Sequence, residues 1–591
     1  MRKSLLLMAL LCMPAALYSQ NKTQCGNPPG QERFPLYSFT ELPQLAGPSP
    51  AEWSSVKGTQ VSWGSTDERY AKHSVPLAKA AGSLTLNAWR GEKVSAQAVV
   101  WSAEGLDGLS FELTPLTGPD GATLEAETGF LRYVMTDGIP EGEDNGCGER
   151  FDHTQFDSSM VADCIDPYLK VKDLTPMETA SVWVGVRLAR DIPAGKYKGK
   201  LIFRSGDEPV GSLDLTVKAS ERVLPPPREW SFHLDLWQNP FAVARYYQLP
   251  LWSEEHFAAM RPIMERLAAA GQKVITTSII DKPWNGQTED PFKSMISWIC
   301  RADGSWEWRY DVFDKWVEFM MSCGIDAQIN CYTMVPWRLS FRYYDQLEDD
   351  FKEVVAVPGS EAFEAHWLPF LKDFAAHLKA KGWFSRCCIA MDERPMEDML
   401  LAIGVVRKAD PGFKVAMAGG YHPEIEEYLF DYCISLNSEF PAEVLERRKV
   451  EGKVSTYYTC CHEPHPNIFT FSPPAEGEFH GVNMAARGVD GYLRWTVIGW
   501  PLEPLLDSRF RTWPAGDTYT IYPGNRTSIR FERVMEGVQD YEKIRLLREE
   551  YGRTGNKKAL SRLEECLAPL GNPGMDPAAM APSLKKLKSM F

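Results

Sequence analysis

Between about Ala51 and Ser220 the apolar positions of this chain recur at every second residue in short runs. "SLTLNAWRGEKVSAQAVVWSA" (Ser83 to Ala103), "SVWVGVRLA" (Ser181 to Ala189), "YKGKLIFRS" and "GSLDLTVKAS" all show it, rich in Val, Leu and aromatics and separated by turn residues. Period-two runs with no helical pattern between them predict an N-terminal β-sandwich. The pattern stops at "VLPPPREW", where Pro225, Pro226 and Pro227 forbid regular structure and stiffen a linker.

Beyond the linker the rhythm changes to strand, helix, strand, helix. Strands are expected at His233 to Trp237, Lys273 to Ile280, Ile325 to Cys331, Arg386 to Met391, Phe413 to Ala418, Tyr432 to Leu436, Lys453 to Thr459 and Gly491 to Ile498. Helices fit between them. Ser253 to Ala270 opens on a Ser cap with Glu254 and Glu255 in its first turn and closes on Gly271; Glu361 to Lys381 closes on Gly382, and Asp311 to Ser322 stops before Gly324. This alternation specifies a (β/α)8 barrel, with a doubly wound sheet as the alternative. In the tail, Ile529, Val534, Val538, Tyr541 and Leu547 recur near helical spacing, so Ser528 to Glu550 reads as an amphipathic helix on the barrel exterior. A last short helix near Lys558 to Leu567 is expected over the barrel rim. The organisation is therefore a leader at 1–19, a sandwich at 20–224, a barrel at 228–525 and C-terminal helices at 526–591.

The leader assignment rests on Arg2 and Lys3, an apolar run, and small residues before Ser19, the layout of a secretory signal peptide. An exported protein, periplasmic or secreted, is expected. No later stretch has the roughly 20 apolar residues of a membrane helix. The residues before Cys12 and Cys25 lack the small-residue pattern of a lipoprotein site, which speaks against lipid anchoring. The net charge of −15 becomes −17 once Arg2 and Lys3 leave with the leader, and no basic run exists, which argues against nucleic acid. Nothing in the sequence sets an oligomeric state. The cysteines, with vicinal pairs at Cys387–Cys388 and Cys460–Cys461, lack metal-ligand spacing, so no zinc site is expected. Most sit in strand-like runs and read as buried thiols, whereas Cys147 and Cys164 lie in a polar stretch and are expected to pair in an oxidising compartment.

Active sites of (β/α)8 barrels lie at the C-terminal ends of the strands. The fourth expected strand ends at Met391, which brings Asp392 and Glu393 to the mouth. The bland alternative is that they cap the following helix, together with Glu397. Two neighbouring carboxyls should split, one rising in pKa while the other stays ionised. Glycoside cleavage uses one acid and one anion, but a conventional retaining pair faces across the sugar at about 5 Å and comes from different strands. Sequence neighbours fit better if Glu393 protonates the leaving oxygen and Asp392 steers a nucleophile carried by the substrate, its 2-acetamido group. Aromatic and amide groups recur at the strand ends: Trp237 and Asn239 on the first, Tyr332 on the third, Tyr457 and Tyr458 on the seventh, Trp495 and Trp500 on the eighth. Such faces stack on pyranose rings. Two other readings stay open: a conventional pair completed by Glu503 or Asp507 with another sugar specificity, and a non-catalytic exported glycan-binding protein.

"AMDERPMEDM" (Ala390 to Met399), "DGYLRWTVIGW" (Asp490 to Trp500), "DSRFRTWPAGDTYTIYPG" followed by "SIRFERVMEGVQDYEKIRLLR" (Asp507 to Gly524, Ser528 to Arg548) and the N-terminal "NAWRGEKVSAQAVVWS" resemble glycoside hydrolase family 123. The resemblance implies a β-sandwich followed by a (β/α)8 barrel. It implies an exo-acting, retaining β-N-acetylgalactosaminidase releasing terminal β-linked GalNAc, as from glycosphingolipid oligosaccharides, by substrate-assisted catalysis without metal or cofactor. The family's adjacent Asp and Glu fall on Asp392 and Glu393. By analogy with other acetamido-assisted enzymes, Tyr457 or Tyr458 should bind the acetamide oxygen and Trp495 should wall the sugar. Asn467 and Asp507 are further polar candidates.

Overall fold

The computed structural model describes residues 24–25, 40–77, 79–138, 158–511 and 513–591. The leader and Cys147 lie outside these residues.

The N-terminal part is a sandwich of two antiparallel-rich sheets. One orders Thr59–Gly64, Lys93–Ser102, Glu178–Arg187, Thr123–Thr136 and Ser159–Asp166; the other orders Ser83–Arg90, Glu208–Val223, Gly195–Ser205, Leu106–Leu113 and Leu169–Leu174. Alternate residues such as Ala96, Ala98 and Val100 from the first sheet meet Leu201, Phe203 and Leu215 from the second. Val99 and Trp101, on the far side of the same strand, are also covered, by Trp53 and Tyr70.

The barrel strands are β1 His233–Leu236, β2 Val274–Ser278, β3 Gln328–Tyr332, β4 Cys387–Met391, β5 Lys414–Gly419, β6 Asp431–Ser435, β7 Val454–Tyr458 and β8 Gly491–Arg494. All eight expected strands are present, paired in parallel from β2 through β8 and on to β1. The seam between β1 and β2 is closed differently. Only Leu234 and Gln272 form a backbone bridge there, and two glutamine side chains take over the ladder. Gln272 accepts from the Leu236 amide at 2.9 Å and donates to the Val274 carbonyl at 2.7 Å, while Gln238 accepts from the Thr276 amide at 3.0 Å. Primary amides can replace backbone groups because each carries both a donor and an acceptor.

The helices of eight or more residues are α1 Pro240–Tyr247, α2 Glu254–Ala269, α3 Asp311–Ser322, α4 Glu361–Ala380, α5 Met396–Ala409, α6 Ala442–Val450, α7 Ala475–Arg487, α8 Ile529–Thr554, α9 Lys557–Leu567 and α10 Pro577–Lys588. Ser253 and Ser360 cap α2 and α4 by accepting from His256 and Phe363 amides. A four-stranded sheet not expected from the sequence, Trp306–Arg309, Ser297–Cys300, Ser340–Asp345 and Asp350–Val355, is inserted into the β2–β3 and β3–β4 connections. It packs on α4 through Trp298, Phe341, His366 and Trp367.

Three expectations are corrected. Helix α8 has a solvent face only in its second half: from Ile529 to Asp540 every residue is buried, charged ones included, because this half lies between barrel and sandwich. The residues leading into it, Thr527–Ser528, add a short strand to the sandwich edge Ser159–Asp166. Helix α9 packs on α7, α8 and α10, not on the rim. Cys164 is a free thiol, buried with Val134 against the barrel core, so it does not pair with Cys147; among the described residues Cys461 is disulfide-bonded. Among the described residues no helix is long and apolar enough to cross a membrane, and no group of three His, Cys, Asp or Glu is placed to hold a metal.

Candidate active site

Every residue of β4 is buried, and Cys387 rests its sulfur 3.4 Å from that of Cys331 on β3. The vicinal cysteines are thus core packing. Asp392 and Glu393 follow where the strand surfaces, and their side chains diverge. Asp392 turns toward the β3–β4 connection: the Trp337 indole donates to its Oδ2 at 3.1 Å and Arg394 Nε to its Oδ1 at 3.2 Å. Glu393 is exposed and turns toward β5 and β7. Its Oε1 lies 3.9 Å from the Cβ position of Gly420, and a side chain at Gly419 would touch its Cα and Cβ. The Tyr458 phenol faces it from β7 and is raised in pKa by burial first and by the Glu393 charge second. The Asp392 carboxyl is raised by its burial, against the pull of Arg394 and Trp337. Mutual repulsion was the expected cause of a raised carboxyl here. Divergence of the side chains explains why burial takes its place.

An aromatic cluster stands at the ends of β1 and β3, and its Tyr332 feels the Asp392 charge. Trp237, Trp284 and Tyr332 pack with centroids 4.6–4.9 Å apart. Trp495 joins Trp237, Trp284, Gln287 and Thr288 along a cleft. Its indole N–H donates to Asp517 at 3.2 Å, and Asp517 is also paired with Arg494. Arg494, fully buried at the end of β8, reaches from there to the Thr459 carbonyl at 3.0 Å and to Asn467 Oδ1 at 2.7 Å. One guanidinium therefore ties together the loops after β7 and β8.

Not every candidate reaches the mouth. Tyr457 and Tyr458 occupy successive positions of β7 and point to opposite faces. Tyr457 turns outward, where its hydroxyl accepts from Arg487 at 2.7 Å and the guanidinium sits 3.8 Å from its ring. Asn239 caps α1, accepting from the Phe241 and Ala242 amides. Trp500 is fully buried and donates to the Ile521 carbonyl at 2.7 Å. Asn467 is buried and braces the loop after β7. Asp507 pairs with Arg509 at 2.7 Å beside Met135 of the sandwich, and Glu503 is exposed in the same loop.

Sequence reasoning missed Trp337, Arg394, Trp284, Arg494 and Asp517. Arg394 had a signal, as the cation two residues from Asp392. Trp337 had none, since 55 residues separate it from the carboxylate it touches. A cavity of about 610 Å³ lies elsewhere, between Thr85–Ser95, α8 and α10. Its charges pair with one another, as in Lys543 with Glu92 and Lys588 with Glu478.

The glycoside hydrolase 123 catalytic domain model matches residues 237–547, and the glycoside hydrolase 123 N-terminal domain model matches residues 63–205. No curated protein sequence matches the chain. Among solved structures, a family 123 glycoside hydrolase from Clostridium perfringens, studied for glycolipid glycan hydrolysis, is 23% identical, with a TM-score of 0.80 over 90% of this chain and 98% of that one. A family 39 glycoside hydrolase from Bacteroides cellulosilyticus is 9% identical, with a TM-score of 0.33 over 77% of this chain and 82% of that one.

Proposed function

Since the chain belongs to glycoside hydrolase family 123, we propose that this glycosidase is an exo-acting, retaining β-N-acetylgalactosaminidase, exported from the cell, that removes terminal β-linked GalNAc by substrate-assisted catalysis. The observation that carries this reading is the divergence of Asp392 and Glu393. Neighbouring carboxylates facing different directions serve different atoms of one sugar, whereas a conventional pair faces the anomeric carbon from opposite sides.

Glu393, open to solvent, gives its proton to the glycosidic oxygen as the bond to C1 breaks. The acetamide oxygen of the same sugar closes on C1 and forms an oxazoline. Asp392, held as an anion beside Arg394, accepts the acetamide N–H and stabilises the positive charge that develops on that group. Glu393, now ionised, takes a proton from water as the water opens the oxazoline at C1, and two inversions give net retention. Tyr458 is the tyrosine available to the acetamide oxygen, and the faces of Trp495, Trp237 and Trp284 stack on the ring.

An aryl substrate panel with product stereochemistry followed by NMR tests the reading. The N-acetyl-β-galactosaminide is expected to be hydrolysed with retention, in preference to its gluco epimer and far faster than the β-galactoside, and a thiazoline mimic of the oxazoline is expected to inhibit. Equal activity on the β-galactoside, which has no acetamide, would sink the mechanism.

A further inference from the structure

Resting on the assignment of Asp392 to the acetamide, we infer that Arg394, braced on the face of Trp337, is a positioning residue that fixes the Asp392 carboxylate in its anionic form and in one orientation. Three contacts form a closed triangle. Arg394 donates to Oδ1 of Asp392 at 3.2 Å, the Trp337 indole donates to Oδ2 at 3.1 Å, and the Arg394 guanidinium lies 4.3 Å from the Trp337 ring centroid. The carboxylate cannot rotate without breaking both hydrogen bonds.

The triangle differs from an ordinary surface ion pair. The side chains of Arg394 and Asp392 are only 14% and 16% exposed, so solvent screens the attraction less than it would on an open surface. Trp337, by contrast, is 49% exposed, a large cost for an indole that had no task there. Each carboxylate oxygen has two lone pairs, so one acceptor site on each remains for a substrate N–H. A guanidinium never deprotonates in a protein, which makes Arg394 a permanent charge next to a group that must stay negative. Burial works against that anion, and Arg394 and Trp337 oppose the effect. The titratable groups facing Asp392 are Arg394 on its own segment and the Tyr332 phenol from β3; Glu393 is turned to Tyr458.

The pH dependence of kcat/KM on an aryl N-acetyl-β-galactosaminide tests the assignment in wild type, Arg394→Gln, Arg394→Lys and Trp337→Phe. Loss of the charge in Arg394→Gln is expected to move the acid limb up by about one pH unit, a roughly ten-fold loss on the acid side that fades toward neutral pH. Arg394→Lys should restore most of it, and Trp337→Phe, which keeps a ring face but loses the N–H, should move the limb by less. A second readout needs no substrate. The fluorescence difference between wild type and Trp337→Phe should titrate with Asp392, vanish as a titration in Asp392→Asn, and shift its midpoint upward in the Arg394→Gln background. A wild type that hydrolyses no acetamido sugar yet shows the midpoint shift would overturn the proposed activity and leave the positioning role standing. An acid limb and a midpoint that both stay in place in Arg394→Gln, with activity lost evenly at every pH, would overturn the positioning role itself.

Discussion

Two regions of this molecule gather acidic side chains, and they handle them in opposite ways. At the junction between the sandwich and α8, Glu92, Glu478, Glu536 and Asp540 are interleaved with Arg533, Lys543 and Lys588. Arg533 bridges Glu478 and Glu536, Lys543 reaches Glu92 at 2.6 Å and Asp540 at 2.7 Å, and Lys588 reaches Glu478 at 2.9 Å. At the barrel mouth Asp392 has one cation, and Glu393 has no ion pair or hydrogen bond among the described residues. A buried charge is tolerated when opposite charges surround it. One that is left short of partners and open to a cleft is available to a reacting molecule. The junction holds the domains together; the mouth keeps its acidity for chemistry.

Substitution should separate the two roles. The largest effect is expected from Glu393→Gln, which should cost on the order of 10² to 10⁴ in rate on a substrate with a poor leaving group while changing unfolding stability by no more than about 0.5 kcal/mol. Paired rate and denaturation measurements check both halves. Arg533→Met should invert that result. It removes the guanidinium that Glu478 and Glu536 share and leaves Lys588 as their remaining cation, so denaturant unfolding should show a loss of up to about 3 kcal/mol, with the folded fraction retaining its activity.

The third effect concerns pH. Burial, opposed by Lys543, pushes the Asp540 carboxyl up to about 7. A carboxyl raised in the folded state binds a proton that the unfolded chain has released, so stability contributed by this group falls as pH rises from about 4 to about 7 and is level above that window. Each unit of the rise is worth about 1.4 kcal/mol. Asp540→Asn should flatten that part of the profile and leave the protein more stable than wild type near pH 7, a difference that unfolding at a series of pH values would show. A profile that keeps its slope in the variant would mean that another group carries the charge.

Much of this architecture was legible in the sequence because strand burial leaves a simple trace. The eight barrel strands are short apolar runs between caps and glycines, and "CCIAM" ends where the carboxylates begin, so topology alone placed Asp392 and Glu393 at the mouth. The partners of those carboxylates were less legible. Trp337 meets Asp392 through a connection enlarged by an extra sheet, whose alternating pattern is too brief to stand out. Tyr457 and Tyr458 could not be told apart before the strand's facing was known. Trp500 and Asn239 carry the residue types of a sugar site but serve a core and a helix cap. Helix α8 misled for a physical reason: its first half is buried on all sides and pairs its charged residues with charged neighbours inside, so polarity there no longer marks a solvent face.

Thr527–Ser528 extends the sandwich edge at Ser159–Asp166, and this makes the proline linker a boundary of sequence without being a boundary of cohesion. A chain cut at Pro225 would leave each half with a wound: an unpaired strand edge on one side, of the kind that invites aggregation, and the ionic face of α8 laid open to water on the other. Modular reuse of either half, in evolution or in an engineered fusion, would have to carry a matching strand and its counter-charges along with it. In that respect the sandwich is less an appendage than the second half of a clasp.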